Sequence, residues 1–181
     1  MRHLASAAAL NGGREAGLPA AVEELLVEVN GDGFTLYCCG PKTAPNALLA
    51  GYEWEQYVDL LTIRDFDRVI TARVPRRGTV DIFAPAVVVW AYEGPPQPAL
   101  RALLDLVHPH HPDAPTITYP APARLHVPRA QQRPMAIQLP SPGRAGVRAA
   151  RLATAITTAG DSRAVTSAVR ARAEDLRLAA G

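Results

Sequence analysis

The stretch EELLVEVNGDGFTLYCC, residues 23–39, carries the clearest local pattern in the chain and decides the class of fold. Leu25, Val27 and Val29 alternate as they would in a strand that buries one face. Residues 30–33, Asn-Gly-Asp-Gly, then supply residue types that tolerate positive φ, and the apolar pattern returns at 34–39. The pattern predicts a β-hairpin, and therefore a sheet with antiparallel strands.

The next part of the chain is less sharply patterned. Residues 40–51 are expected to form a loop that can include one helical turn at 47–50. Residues 52–63 fit two structures, because their aromatic and apolar residues recur at helical spacing whereas 58–63 is typical of a strand. We prefer a strand that begins at Tyr57, and the helix stays open as the alternative.

Two further strand patterns follow. Residues 68–74 and 80–83 predict the arms of a second hairpin around the turn at 75–78. Residues 87–92 form an uninterrupted apolar run, which is typical of a central strand covered on both faces.

A helix and a proline-rich stretch come next. Pro98 suits the first position of a helix, and the apolar residues that follow lie on one helical face, which predicts a helix over 98–107. Residues 109–142 are broken by proline into short extended pieces. Such pieces suit edge strands or a wrap over the body, because proline cannot donate a hydrogen bond to a neighbouring strand.

The composition changes abruptly at Pro142. None of the 17 prolines lies after it, and residues 143–181 contain seven arginines against three acidic residues. This tail predicts two alanine-rich helices divided at Gly160, each with a thin apolar stripe beside an arginine stripe. The arginine stripes are the candidate contact residues for nucleic acid or for a partner protein: Arg144, Arg148, Arg151, Arg163, Arg170 and Arg177.

These patterns predict an α+β fold with three parts. Residues 1–21 are expected to form a flexible N-terminal extension, and residues 143–181 a basic C-terminal helical tail. Residues 22–142 are expected to form the globular domain. That domain would combine a mostly antiparallel sheet with one packed helix and a proline-rich extended segment, and the tail would add a helical pair.

Other groups of reactive residues give weaker signals. His108, His110, His111 and Asp113 are weak candidates for metal ligands, since their spacing matches no common zinc motif. The adjacent Cys38 and Cys39 are expected on opposite faces of a strand, with at most one of them buried. Asp65 and Asp67, between Arg64 and Arg68, are expected to form a solvated ion-pair cluster. No cofactor is expected.

The function predicted from these features is a non-enzymatic bacterial accessory or regulatory protein that acts by protein–protein contact through its C-terminal helices. The partner would be another protein or further copies of the chain. The alternative is a regulator that binds nucleic acid through the arginine stripes. A small-molecule site near Trp54, Trp90 or Tyr92 is a third hypothesis. No apolar run reaches 18 residues, so we expect a cytoplasmic protein without a membrane contact.

Overall fold

A computed structural model describes residues 19–41, 44–78, 80–154 and 156 of the chain. The first half contains helix α1 (Ala20–Gly31) and strands β1 (Thr35–Cys39), β2 (Ala47–Glu53), β3 (Tyr57–Asp65) and β4 (Arg68–Pro75). The second half contains β5 (Val87–Val88), β6 (Trp90–Gly94), helix α2 (Pro96–Leu104), β7 (Tyr119–Pro120) and β8 (Met135–Gln138). Short 3₁₀ turns lie at Ala123–Leu125 and Arg129–Gln131. Residues 147–154 belong to a C-terminal helix, which we call α3.

Six of the strands form one sheet in the order β6-β4-β3-β2-β1-β8, and every neighbouring pair in it is antiparallel. Strands β5 and β7 form a separate antiparallel pair. The predicted α+β class with a mostly antiparallel sheet is therefore confirmed. The second helix of the predicted C-terminal pair lies outside the described residues.

The first arm of the predicted hairpin is wrong, because residues 20–31 form helix α1. Val22, Leu25 and Val29 are fully buried and lie on one helical face, whereas Val27 is 58% exposed. The helical period therefore fits the burial better than the alternation that we used. The turn residues end this helix and do not join two strands, with Gly33 at a φ of 96°.

The predicted loop over residues 40–51 is also wrong in its second half, where β2 begins at Ala47. Residues 47–52 are all buried, because β2 lies between β1 and β3 and both faces of the sheet are covered. A strand buried on both faces shows no alternation, which explains why the pattern was missed.

The order of the hairpins differs from the prediction as well. Strand β4 pairs with β3 through the turn at residues 66–67, and residues 80–83 form no strand. The predicted central strand at 87–92 divides into β5 and β6, and β6 lies at an edge of the sheet. The predicted strand beginning at Tyr57 is present as β3, and the helix predicted over 98–107 is present but shifted, as Pro96–Leu104.

Each face of the sheet has its own cover. Helices α1, α2 and α3 pack on one face, where Leu25, Leu100 and Leu152 belong to one cluster of buried side chains. On the other face, the irregular segments around residues 80–83 and 121–127 bury Leu125 and Val127 against β1–β4. Both Cys38 and Cys39 are therefore buried, and the expectation that one of them is exposed is wrong.

We expect the Cys39 thiol to be inert in the folded protein. Burial raises its pKa to about 11, and the adjacent Cys38 adds to this shift, so little thiolate forms near neutral pH. In a Cys38→Ser variant, Cys39 should react with a thiol reagent only after unfolding in urea. Ile117→Cys, at a position 83% exposed in the native chain, supplies a fast-reacting control. Rapid modification of Cys39 in native protein would contradict this burial.

Candidate functional site

Three charged side chains meet in the interior on the helix-covered face of the sheet. Asp59 of β3, Arg73 of β4 and Arg148 of α3 each have no exposed surface. Asp59 and Arg73 are directly opposite each other in the β3–β4 pairing. The register of this hairpin therefore places a carboxylate directly beside a guanidinium.

The Asp59 carboxylate accepts hydrogen bonds from three residues. Arg73 donates from Nε to Oδ1 at 2.6 Å and from Nη2 to Oδ2 at 2.9 Å, which is a two-point contact. Trp54 Nε1 donates to Oδ2 at 2.9 Å. The remaining Arg73 nitrogen, Nη1, donates to the Val107 carbonyl oxygen at 2.7 Å and so ties the exit of α2 to the sheet.

Arg148 connects α3 to the same carboxylate. Its Nη2 donates to Asp59 Oδ2 at 3.0 Å and to the Leu103 carbonyl oxygen of α2 at 2.8 Å. Its Nη1 donates to Asp32 Oδ2 at 3.1 Å, after the end of α1. Asp32 also accepts from Arg151 Nη2 at 2.8 Å. One buried arginine thus contacts groups that belong to or follow α1, α2 and β3.

Aromatic rings surround the Arg148 guanidinium. Its central carbon lies 5.4 Å from the centre of the Phe34 ring and 6.0 Å from that of Tyr52. A guanidinium is weakly hydrated and is attracted to ring faces, so this environment suits arginine better than lysine.

Gly33 allows the backbone that precedes α3 to approach this cluster. A Cβ atom at this position would clash with the Arg144 carbonyl oxygen, and the φ of 96° favours glycine independently. Two adjacent residues therefore allow α3 to pack here. Gly33 leaves room for the backbone that precedes the helix, and Asp32 accepts hydrogen bonds from its arginines.

This cluster is structural and not catalytic in its geometry. The two buried cations face two carboxylates, and the donors of Arg73 and Arg148 point at protein acceptors. The cluster therefore fastens the C-terminal helix to the body.

Asp59, Arg73 and Asp32 were not predicted from the sequence as a group. The available signal was a charged residue inside an otherwise apolar strand, Asp59 between Val58 and Leu60 and Arg73 between Ala72 and Val74. A charge at such a position needs a buried partner.

The predicted arginine stripe is divided by this arrangement. Arg144 is exposed, Arg148 is fully buried, and the Arg151 side chain is 44% exposed and paired with Asp32. The described part of the tail thus presents no continuous cationic stripe, and the expectation of a surface position for Arg148 is corrected. Arg163, Arg170 and Arg177 lie outside the described residues.

The histidine loop does not assemble a metal site in the described part of the chain, where no group of three His, Cys, Asp or Glu residues converges. The His108 ring packs edge-on against Trp54 at 4.8 Å and against His110 at 5.2 Å. His108 Nδ1 and His111 Nδ1 accept backbone N–H groups of His110 and Asp113. These ring nitrogens are therefore used within their own turns.

Strand β8 presents a free edge in the described part of the chain, where it pairs with β1 alone. The Gly40 N–H donates to the Pro134 carbonyl oxygen, so the antiparallel alternation directs the main chain of Ala136 and Gln138 toward β1. The N–H and C=O groups of Met135 and Ile137 consequently point away from the sheet. An edge of this kind can accept another strand.

The same edge exposes apolar side chains. Met135 is 38% exposed, Ile137 is 59% exposed and Leu139, just after the strand, is 71% exposed. Residues 134–142 contain no charged side chain. Natural edge strands usually carry charges that prevent pairing, and β8 lacks them, although Pro134 and Pro140 limit its length.

Comparison of the chain with protein-family models, with curated proteins and with solved structures finds no match. Within the described residues, no helix combines the length and the apolar character that crossing a bilayer requires.

We expect Arg148→Met to lower the free energy of unfolding by about 3 kcal/mol, because Asp32 and Asp59 each lose one of their two arginine partners in a buried cluster. The measurement is urea denaturation followed by Trp fluorescence. Arg144→Met, at an exposed arginine on the same segment, should change stability by less than about 0.5 kcal/mol. Equal stabilities of the two variants would show that the cluster does not hold α3.

Stability should also fall as the pH is lowered through the range where His108 titrates. Burial lowers the pKa of His108 below its ordinary 6.5, and His110 and Arg73 lower it further, whereas Asp59 opposes the shift. A depressed pKa means that the unfolded chain takes up this proton first, so the stabilisation is complete above pH 6.5 and is lost below it.

The His108→Asn variant should show a weaker loss of stability between about pH 7 and pH 5 than the native chain in urea denaturation. His126→Asn, which removes an exposed ring away from Trp54, serves as the control. An unchanged pH dependence in His108→Asn would contradict the assignment.

Proposed function

We propose that this chain is a non-enzymatic accessory or regulatory protein that acts by protein–protein contact. The observation that carries the proposal is the free, apolar edge of β8. The main-chain groups of this edge supply affinity for an added strand, and the alternating side chains supply a surface that gains from burial.

The occupant that best fits this edge is a second copy of the chain. Residues 134–142 are uncharged, so two copies meet without repulsion between like charges. Antiparallel pairing about a twofold axis at Ile137 places Met135 opposite Leu139 of the other copy. The outward N–H and C=O groups then pair with each other, and the two sheets become one.

The short pairing length limits the strength of this contact. Pro134 and Pro140 lack an N–H donor and confine the ladder to the residues between them. An interface of this size belongs to the weak or transient class, which suits a regulatory assembly. The cluster around Arg148 holds the described part of α3, residues 147–154, on the body. We propose those residues, with Arg163, Arg170 and Arg177, as the second contact element.

Sedimentation velocity across a concentration series tests the proposal. The native chain should shift from monomer to dimer as its concentration rises, and Ile137→Lys should remain monomeric, because a charge at the centre of the edge blocks pairing. Val27→Lys is the matched control, since Val27 is 58% exposed and Ile137 59%. It should dimerise as the native chain does.

A chain that ends at residue 156 should also dimerise, because β8 and the buried cluster are retained. A native chain that stays monomeric at every concentration would overturn the self-pairing of β8. Dimerisation that survives Ile137→Lys would place the interface elsewhere.

A further inference from the structure

A polar cavity of about 270 Å³ lies on the face of the sheet opposite the helices. It is lined by Thr62 of β3, Ile70 of β4, and charged and amide side chains from β3, β4, β6, the segment before β2 and the 3₁₀ turns. It is separate from the Asp59 cluster, which lies on the other face, and from the outer edge of β8.

The charged groups of the cavity leave one cation without a counter-charge. Glu93 contacts Arg68 at 2.7 Å and Arg124 at 3.4 Å, and Asp65 contacts Arg124 at 3.3 Å. Both carboxylates are therefore already paired with arginine. Arg64 forms no ion pair with any residue that the structure describes.

Arg64 is held by neutral acceptors only. Its Nη1 donates to the His126 carbonyl oxygen at 3.2 Å, and its Nη2 donates to Gln131 Oε1 at 3.4 Å. These contacts orient the guanidinium and use two of its five N–H groups. Arg64 is an exposed residue, and its remaining donors make no hydrogen bond to a described residue.

Thr62 adds a buried hydroxyl to the same cavity. Its side chain is 1% exposed, and its Oγ1 has no hydrogen-bond partner among the described residues. A buried polar atom without a partner is costly and uncommon in folded proteins. Thr62 is one of the residues that line the cavity.

The side-chain amides of Asn46 and Gln131 add further unused hydrogen-bond donors to the cavity. Asn46 Nδ2 donates once, to the Gln131 carbonyl oxygen at 3.2 Å, and has a second hydrogen. Gln131 accepts from Arg64 through its Oε1, so its Nε2 is a further donor. The cavity thus combines unused donors with carboxylates that are already engaged, a combination that favours an acceptor-rich anion.

We infer that this cavity binds a small oxyanion, the phosphate or carboxylate group of a metabolite, with Arg64 as the charged contact and Thr62 as the buried donor. Its volume suits a compact ligand and falls slightly below the usual range for drug-sized molecules. The inference is independent of strand pairing by β8.

Isothermal titration calorimetry with inorganic phosphate and, separately, with acetate tests this inference, each at constant ionic strength set with chloride. Saturable binding of either anion is expected, and the two titrations distinguish a phosphate site from a carboxylate site. Arg64→Met should weaken binding by about tenfold or more, because it removes the charged donor. Arg101→Met, at an exposed arginine of α2, should leave binding unchanged.

Thr62→Val separates a ligand contact from a structural role. Valine keeps the shape of the side chain and removes a hydroxyl that has no described partner, so the folded protein should be at least as stable while anion binding weakens. Binding of neither anion would overturn the inference. Binding that is unaffected by both Arg64→Met and Thr62→Val would also overturn it.

Discussion

The shared carboxylate of Asp59 is the interaction on which the rest of the structure depends. It accepts hydrogen bonds from Trp54, Arg73 and Arg148, and all of these contacts are buried. Removing charged groups from water is unfavourable, so the arrangement is stable only when every member is present. This requirement couples the β3–β4 hairpin to helix α3, about ninety positions later in the chain.

The cluster also attaches the described part of the C-terminal region to the rest of the fold. Leu152 joins the same buried group of side chains as Leu25 and Leu100, and Arg148 binds beside it. The segment between β8 and α3 is consequently held at both ends. Among the described residues, the free edge of β8 and the cavity at Arg64 lie outside this anchored part.

The sequence predicted the fold class, the strand from Tyr57 and helix α2, because each depends on local periodicity. It failed where tertiary burial overrides the local pattern. Residues 47–52 show no alternation of apolar and polar residues, because both faces of their strand are covered. The apolar residues within 25–29 fit the spacing of a strand and that of a helix equally, so the sequence did not distinguish the two. Arg148 was recognised as a candidate contact residue, yet its partners lie far away in sequence, and pairing at that distance leaves no local signal. Spacing alone could not show that Arg148, one arginine of the predicted stripe, is buried.

A double-mutant cycle between Asp59→Asn and Arg148→Met tests most directly whether this ion pair fastens α3 to the sheet. Urea denaturation of the native chain, both single variants and the double variant gives the coupling energy. We predict a coupling of about 1–3 kcal/mol, with the double variant less destabilised than the sum of the single variants. The pair Asp59→Asn and Arg144→Met should be additive, because Arg144 is exposed and does not contact Asp59. Additivity of Asp59→Asn with Arg148→Met, within about 0.3 kcal/mol, would contradict the account.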